Sequence, residues 1–264
     1  MKTADSLVFA LTLAACMLPA MAAETPAACS ATSGAQTLPL VELYTSEGCD
    51  SCPPADRWLR QTFPSTGNSA TPRAAVIAFH VDYWDGLGWP DRFATHANTE
   101  RQQDLVRAAG GQTVYTPQVF VQGRDPGLWR TAGVERALDG ARRAAPRARI
   151  AVRARQLTDA VQVEVDASVV AGVRDAVVHV ALTENGLTSS VAAGENKGVR
   201  LEHDHVVRAW QAGPAFAADG HAKGDVRLPL PRERGRDGAI VAFVQERATG
   251  RILQSLTLPL CAAM

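Results

Sequence analysis

The sequence predicts a mixed architecture, an α/β domain over residues 38–146 followed by a small antiparallel all-β, sandwich-like domain over residues 147–260. Three observations carry this. From Leu38 to Ala145, short apolar runs alternate with longer polar segments of helical spacing, the pattern of β-α units. After Pro146 the helical period stops, and apolar residues alternate with polar ones between turn dipeptides, as in half-buried strands. The length, 264 residues, suits one large or two small domains.

Leu38 to Tyr44 reads as the first strand, and Thr45-Ser46-Glu47-Gly48 as a turn. Pro53-Pro54 then opens a helix that runs through Asp56 to Thr62, since proline's missing N–H would be unpaired there anyway. Ala74 to Asp82 is short, apolar and rich in β-branched residues, hence a buried strand. Arg92 to Ala109 reads as a helix stopped by Gly110-Gly111, Gln118 to Gln122 as a strand, and Thr131 to Ala145 as a last helix. Beyond Pro146, Ile150/Val152, Val161/Val163/Val165 and Val178/Val180/Leu182 mark strands. Asn185-Gly186 is the strongest two-residue hairpin signal, and Thr249-Gly250 joins the strands Ile240–Glu246 and Arg251–Leu258 in a second hairpin.

Composition narrows the function. The 27 basic and 27 acidic side chains cancel, so nothing steers the chain toward nucleic acid or an anionic membrane. The lysines are Lys2, Lys197 and Lys223, and the other basic residues are arginine. Lys2 and the apolar run Leu7 to Ala15 form a signal-like segment too short to span a bilayer. Ala20-Met21-Ala22 offers a cleavage site, so residues 1–22 are expected to be removed and the product to be periplasmic or secreted, with no transmembrane helix. Leu13-Ala14-Ala15-Cys16 offers a competing lipid anchor at Cys16. Residues 23–37, rich in Ala, Ser, Thr and Pro, are expected to be a flexible lead-in.

Removing the signal leaves Cys29, Cys49, Cys52 and Cys261. In an oxidising compartment an even number reads as disulfides. The close pair Cys49/Cys52 suggests one bridge and leaves Cys29 and Cys261 for a structural second, or for two buried thiols. Cys49-Asp50-Ser51-Cys52 sits between a strand and a helix; no histidine follows it, as haem attachment requires, and no second C-x-x-C completes a zinc site. This placement, with Thr116-Pro117 before a later strand, resembles the thioredoxin superfamily. At a helix N-terminus, unpaired N–H groups and the dipole favour thiolate at Cys49, and thiolate is the attacking species in disulfide exchange. The resemblance implies Cys52 as the resolving thiol and a cis proline at Pro117, with Thr116 offering its backbone to an extended substrate. It also makes Glu42 a possible proton acceptor for the resolving cysteine, unless that residue faces solvent.

Four segments, VELYTSEGCDSCPPADRWL, FHVDYWDGLGWPDRF, VYTPQVFVQG and GENKGVRLEHDHVVR, extend the likeness. Together they resemble bacterial secreted thioredoxin-like proteins catalogued as domain of unknown function 1223, over about residues 38–260. His80, Asp82, Trp84 and Tyr115 fall in these segments and are expected near the cysteines. His80 and Asp82 share a strand face, as a hydrogen-bonded pair or as proton-transfer or ligand groups, and Trp84 and Trp89 are expected to wall the site. His203 and His205, two apart and so expected on one face of a strand, are weak metal candidates for which surface or interdomain hydrogen bonding is the competing role.

The expected activity is exported thiol-disulfide exchange on protein or small-molecule substrates, with no dissociable cofactor. Two alternatives stand beside it. One is a periplasmic copper-binding protein or metallochaperone using Cys49, Cys52 and His80. The other is a non-catalytic binding protein whose cysteine pair is a permanent disulfide.

Overall fold

A computed structural model describes residues 27–65 and 72–261 of the protein. The signal segment and Cys16 lie outside them. Strand β1 (Ala28–Thr32) occupies the expected lead-in and pairs antiparallel with β5 (Ala148–Gln156). Residues 28–32 are therefore a sheet edge rather than a flexible leader. Their composition hid this, but Cys29 and Ala31, two apart, both pack on the core beneath, as strand alternation requires.

The first half follows in order: β2 (Leu40–Thr45), α1 (Pro53–Thr62), β3 (Ala75–His80), α2 (His96–Ala108), β4 (Gln118–Val121) and α3 (Ala132–Arg143). Helix α2 starts four residues later than Arg92 because Thr95 caps it, its hydroxyl accepting from Asn98 N–H. Thr131 caps α3 in the same way through Gly133 N–H. Strand β2 lies between β3, parallel, and β4, antiparallel.

The second half supplies β5, β6 (Ala160–Val169), β7 (Ala176–Asn185), β8 (Leu187–Ser190), β9 (Arg200–His203), β10 (Val206–Ala212), β11 (His221–Pro229), β12 (Asp237–Glu246) and β13 (Ile252–Pro259). Strands β12 and β13 form the expected hairpin. Asn185-Gly186 does not make one: β8 leaves β7 and pairs with β9 in a separate ribbon. Gly186 takes a left-handed φ of 69°, Asn185 Oδ1 accepts from His205 N–H, and Gly186 N–H donates to Asp204. The turn residues thus anchor the base of the ribbon.

The halves share one sheet of order β13-β12-β7-β10-β3-β2-β4, because β10 pairs parallel with β3 through Val206 and Ala78. One face of it carries Val41, Leu43, Val76 and Ala78 beneath α1 and α3. Farther along the same face, Val178, Val180, Leu182 and Ile240 pack against the second sheet, β1-β5-β6-β11. The opposite face, with Leu40, Tyr44, Ile77, Phe79 and Phe243, is covered by Leu105 and Val106 of α2. The result is a mixed α/β fold in which sheet predominates. Among the described residues no helix is long and apolar enough to cross a membrane.

Candidate functional site

Cys49 and Cys52 are joined by a disulfide with Cα atoms 5.4 Å apart. They lie where β2 hands over to α1, with Cys52 as the N-cap residue and Pro53 and Pro54 as the first helical positions. Two prolines remove two N–H groups, and the next two, of Ala55 and Asp56, both donate to the Cys52 carbonyl. The helix end therefore offers Cys49 no unpaired N–H, contrary to expectation. The polar side-chain neighbour of its sulfur is Ser51, whose Oγ is 3.4 Å away.

The Thr116–Pro117 bond is cis. It precedes β4, whose Gln118 pairs with Tyr44 near the end of β2, so it shares a sheet end with the disulfide. Trp84 links the two. Its indole N–H donates to Thr116 Oγ1 at 2.8 Å, and its Cβ lies 3.1 Å from where a Cβ on Gly48 would stand. Glycine at 48 lets the cysteine turn settle against the Cβ and carbonyl of Trp84. Tyr115 turns its hydroxyl to Asp125 at 2.9 Å, and burial together with that carboxylate pushes its phenol up to about 12.

Both cysteines are fully buried. The segment Val191–Val199, between β8 and β9, closes over them. Asn196 donates to the carbonyls of Glu47 and Cys49, both at 2.9 Å, and Glu195 accepts from Asp50 N–H at 3.2 Å. A Cβ on Gly194 would stand 3.2 Å from Trp89 Cβ and 3.5 Å from the Leu87 carbonyl oxygen, so glycine lets the segment lie close to that loop.

Beneath the disulfide lies a cluster of buried ionisable groups. Register pairs Thr45 with His80, and both fall on the α1 face of the sheet. His80 Nδ1 is 2.6 Å from Asp91, which also accepts N–H groups of Glu47 and Phe93. His203 Nε2 is 3.1 Å from Glu47, whose other oxygen accepts from the Trp89 indole at 2.8 Å. The two imidazoles pack edge to face at 4.9 Å. Burial pushes His80 down, but Asp91, Asp56 and Glu47 outweigh it and hold the imidazole above its ordinary range. Burial likewise works against the charges of Glu47 and Asp91. Hydrogen bonds to Glu47, chiefly from His203, and the charge of His80 beside Asp91 prevail, leaving both acids below the usual carboxylate range.

Other expected partners differ. Asp82 does not bond His80; it lies past the end of β3, accepting from Thr99 Oγ1 at 2.6 Å, with His96 Nδ1 at 3.1 Å. Glu42 is buried on the opposite face of the sheet from α1. There it takes hydrogen bonds from Tyr44 and Arg101 at 3.0 and 2.9 Å, so strand alternation removes it from the side of Cys52. His203 and His205 do not share a strand face, because β9 ends at His203 and His205 has a φ of 60°. His205 Nε2 instead lies 2.7 Å from the Phe63 carbonyl. Among the described residues no group of three or more His, Cys, Asp or Glu side chains is placed to hold a metal ion.

Sequence reasoning did not single out Glu47, Asp56, Asp91 or Asn196. Glu47 and Asp56 flank the cysteines, which is a signal of a kind. Asp91 and Asn196 reach the site only through the path of the chain.

The family model described as "Protein of unknown function (DUF1223)" matches residues 40–245. The chain belongs to this family. A crystallographically solved protein of Agrobacterium tumefaciens is 28% identical, with a TM-score of 0.60 over 87% of this chain and 97% of that one. HBP35 of Porphyromonas gingivalis shares the fold at 15% identity, with a TM-score of 0.66 over 88% of this chain and 77% of that one. A search of curated proteins gave no match. In this DUF1223 chain, the matched span contains the disulfide, the cis proline, the covering segment and the buried cluster.

Proposed function

We propose that this DUF1223 protein is an exported thiol-disulfide oxidoreductase of thioredoxin-like type. The observation that carries the reading is the Cys49–Cys52 disulfide at a strand-to-helix junction, tied through Trp84 to the cis Thr116–Pro117 bond. Cysteine pairs in this setting exchange through a mixed disulfide. Cys49 thiolate attacks a substrate disulfide, forming one S–S bond and releasing one substrate thiolate. Cys52 then attacks Cys49, closing the internal disulfide and releasing the second substrate thiolate. Two electrons pass to the substrate, and the reverse sequence oxidises a dithiol. The backbone of Thr116 is suited to hold an extended substrate segment as an added strand would. Two disulfides fit an oxidising compartment outside the cytoplasm.

The full burial of both cysteines favours a second reading, a permanent disulfide in a non-catalytic binding protein. Turnover separates the two. The oxidoreductase reading expects Cys49→Ser to abolish insulin reduction and oxidative refolding by the mature protein; a rate equal to that of the unaltered protein rejects it.

A further inference from the structure

Glu42 is placed on the wrong side of the sheet to serve Cys52, yet resolution of a mixed disulfide requires Cys52 to lose a proton. A different acid lies on the α1 side. Asp56 follows Cys52 by one helical turn, its N–H donating to the Cys52 carbonyl, and residues four apart on a helix share a face. Its carboxylate turns toward the sheet and accepts from Thr45 Oγ1 at 3.2 Å. The sheet beneath presents His80, in register with Thr45, and β9 presents His203.

We propose that Asp56 accepts the proton of Cys52 during exchange, with the His80–Asp91 and His203–Glu47 pairs positioning and polarising it. The proposal rests on the oxidoreductase reading. In the step concerned, the Cys52 S–H proton passes to the Asp56 carboxylate and the freed thiolate attacks Cys49 Sγ. The Cys49–Cys52 bond forms, the Cys49–substrate bond breaks, and the leaving substrate thiolate is protonated from Asp56 through solvent.

Three observations support Asp56 in this role. It reaches the α1 face of the sheet, the face that Glu42 does not. His80 Nε2 and His203 Nδ1 are buried without a hydrogen-bond partner among the described residues, so the polar shell retains capacity to respond when charge moves. Burial, the largest influence, raises the Asp56 carboxyl above the ordinary range, in the direction of a group able to take a proton from a thiol. His203, His80 and the Thr45 hydroxyl oppose that rise, and Asp91 adds to it. Arg60, one turn farther along α1, is occupied by Glu202 of β9.

The test uses the reduced mature protein mixed with oxidised glutathione, acid-quenched over time, with the glutathionylated intermediate followed by mass spectrometry. Asp56→Asn is expected to form the mixed disulfide at the unaltered rate but to resolve it roughly a hundredfold more slowly at neutral pH. That deficit narrows as pH rises and hydroxide removes the proton instead, and Asp56→Glu recovers part of the rate. Equal resolution rates and pH profiles for Asp56→Asn and the unaltered protein overturn the assignment while leaving the oxidoreductase reading intact. Failure of the unaltered protein to form a mixed disulfide overturns both. Should Asp56→Asn not fold, carboxyl carbon NMR of the unaltered protein reads the same claim: Asp56 must titrate differently in the oxidised and reduced states, and identical titrations overturn it.

Discussion

Glu42 and Asp56 differ in the face of the sheet they serve, and that difference decides their roles. Glu42 is locked in a buried ion pair with Arg101, whose guanidinium also lies over Phe79, Trp210 and Phe243. Removing one partner of such a pair leaves an uncompensated buried charge, at a cost of about 3–5 kcal/mol. Glu42→Gln is therefore expected to lower unfolding stability in urea by roughly 3 kcal/mol while leaving the glutathione exchange rate unchanged. Retained stability with slowed exchange would return the proton-accepting role to Glu42. The buried histidine cluster makes a second prediction, with opposite signs on its two sides. His80 is held above its ordinary value of 6.5, so its contribution is complete below pH 6.5 and is lost as pH rises through the raised value. Glu47 and Asp91 are held below the ordinary values of 4.5 and 3.8; their contribution is present above those values and lost as pH falls through the depressed ones. Because His179 and His205 are held below 6.5 and act in the opposite sense, the His80 contribution is read as the difference in urea midpoint between the unaltered protein and His80→Gln, which should shrink as pH rises above 6.5. A difference that does not change with pH would contradict the assignment.

At the scale of elements, β1, β8, β10 and β11 went unmarked, but the three α-helices and most other strands were legible from local pattern because capping residues, glycine stops and apolar alternation act over a few positions. Thr131, Pro53-Pro54 and the Thr249-Gly250 turn are cases. Pairing partners were not legible, since they depend on tertiary neighbours. Asn185-Gly186 has the local chemistry of a hairpin, yet its side-chain and backbone groups are taken by His205 and Asp204, and the ribbon β8–β9 leaves the sheet. That departure carries Val191–Val199 over the cysteines, so the accessibility of Cys49 belongs to this segment. Asn196→Ala leaves the Glu47 carbonyl without its donor and the Cys49 carbonyl with the Cys52 N–H alone, a loss of about 1–3 kcal/mol for buried groups. Reduction of the Cys49–Cys52 bond by dithiothreitol should then quicken by about tenfold, the equivalent of about 1.4 kcal/mol. An unaltered rate would mean that the segment does not govern access.

For the whole molecule, the α/β half and the β half were readable separately, but their union through β3 and β10 was not. A single parallel bridge between segments more than a hundred positions apart leaves no local trace. The termini of the described chain are tied by the Cys29–Cys261 disulfide, with a sequence separation of 232. Loop closure on that scale stabilises by on the order of 5 kcal/mol in the chain-entropy model. That bridge secures β1 at its sheet edge, while Cys49–Cys52 spans three positions and constrains little chain. The long bridge suits stability and the short one suits exchange.

The central claim is that Cys49–Cys52 is a working redox pair, and its reduction potential tests this most directly. Equilibration of the protein with glutathione buffers, read by differential alkylation of Cys49 and Cys52, should give a value between about −120 and −270 mV, the range of exchanging pairs. A value below about −300 mV, typical of structural disulfides that resist glutathione, would contradict the account.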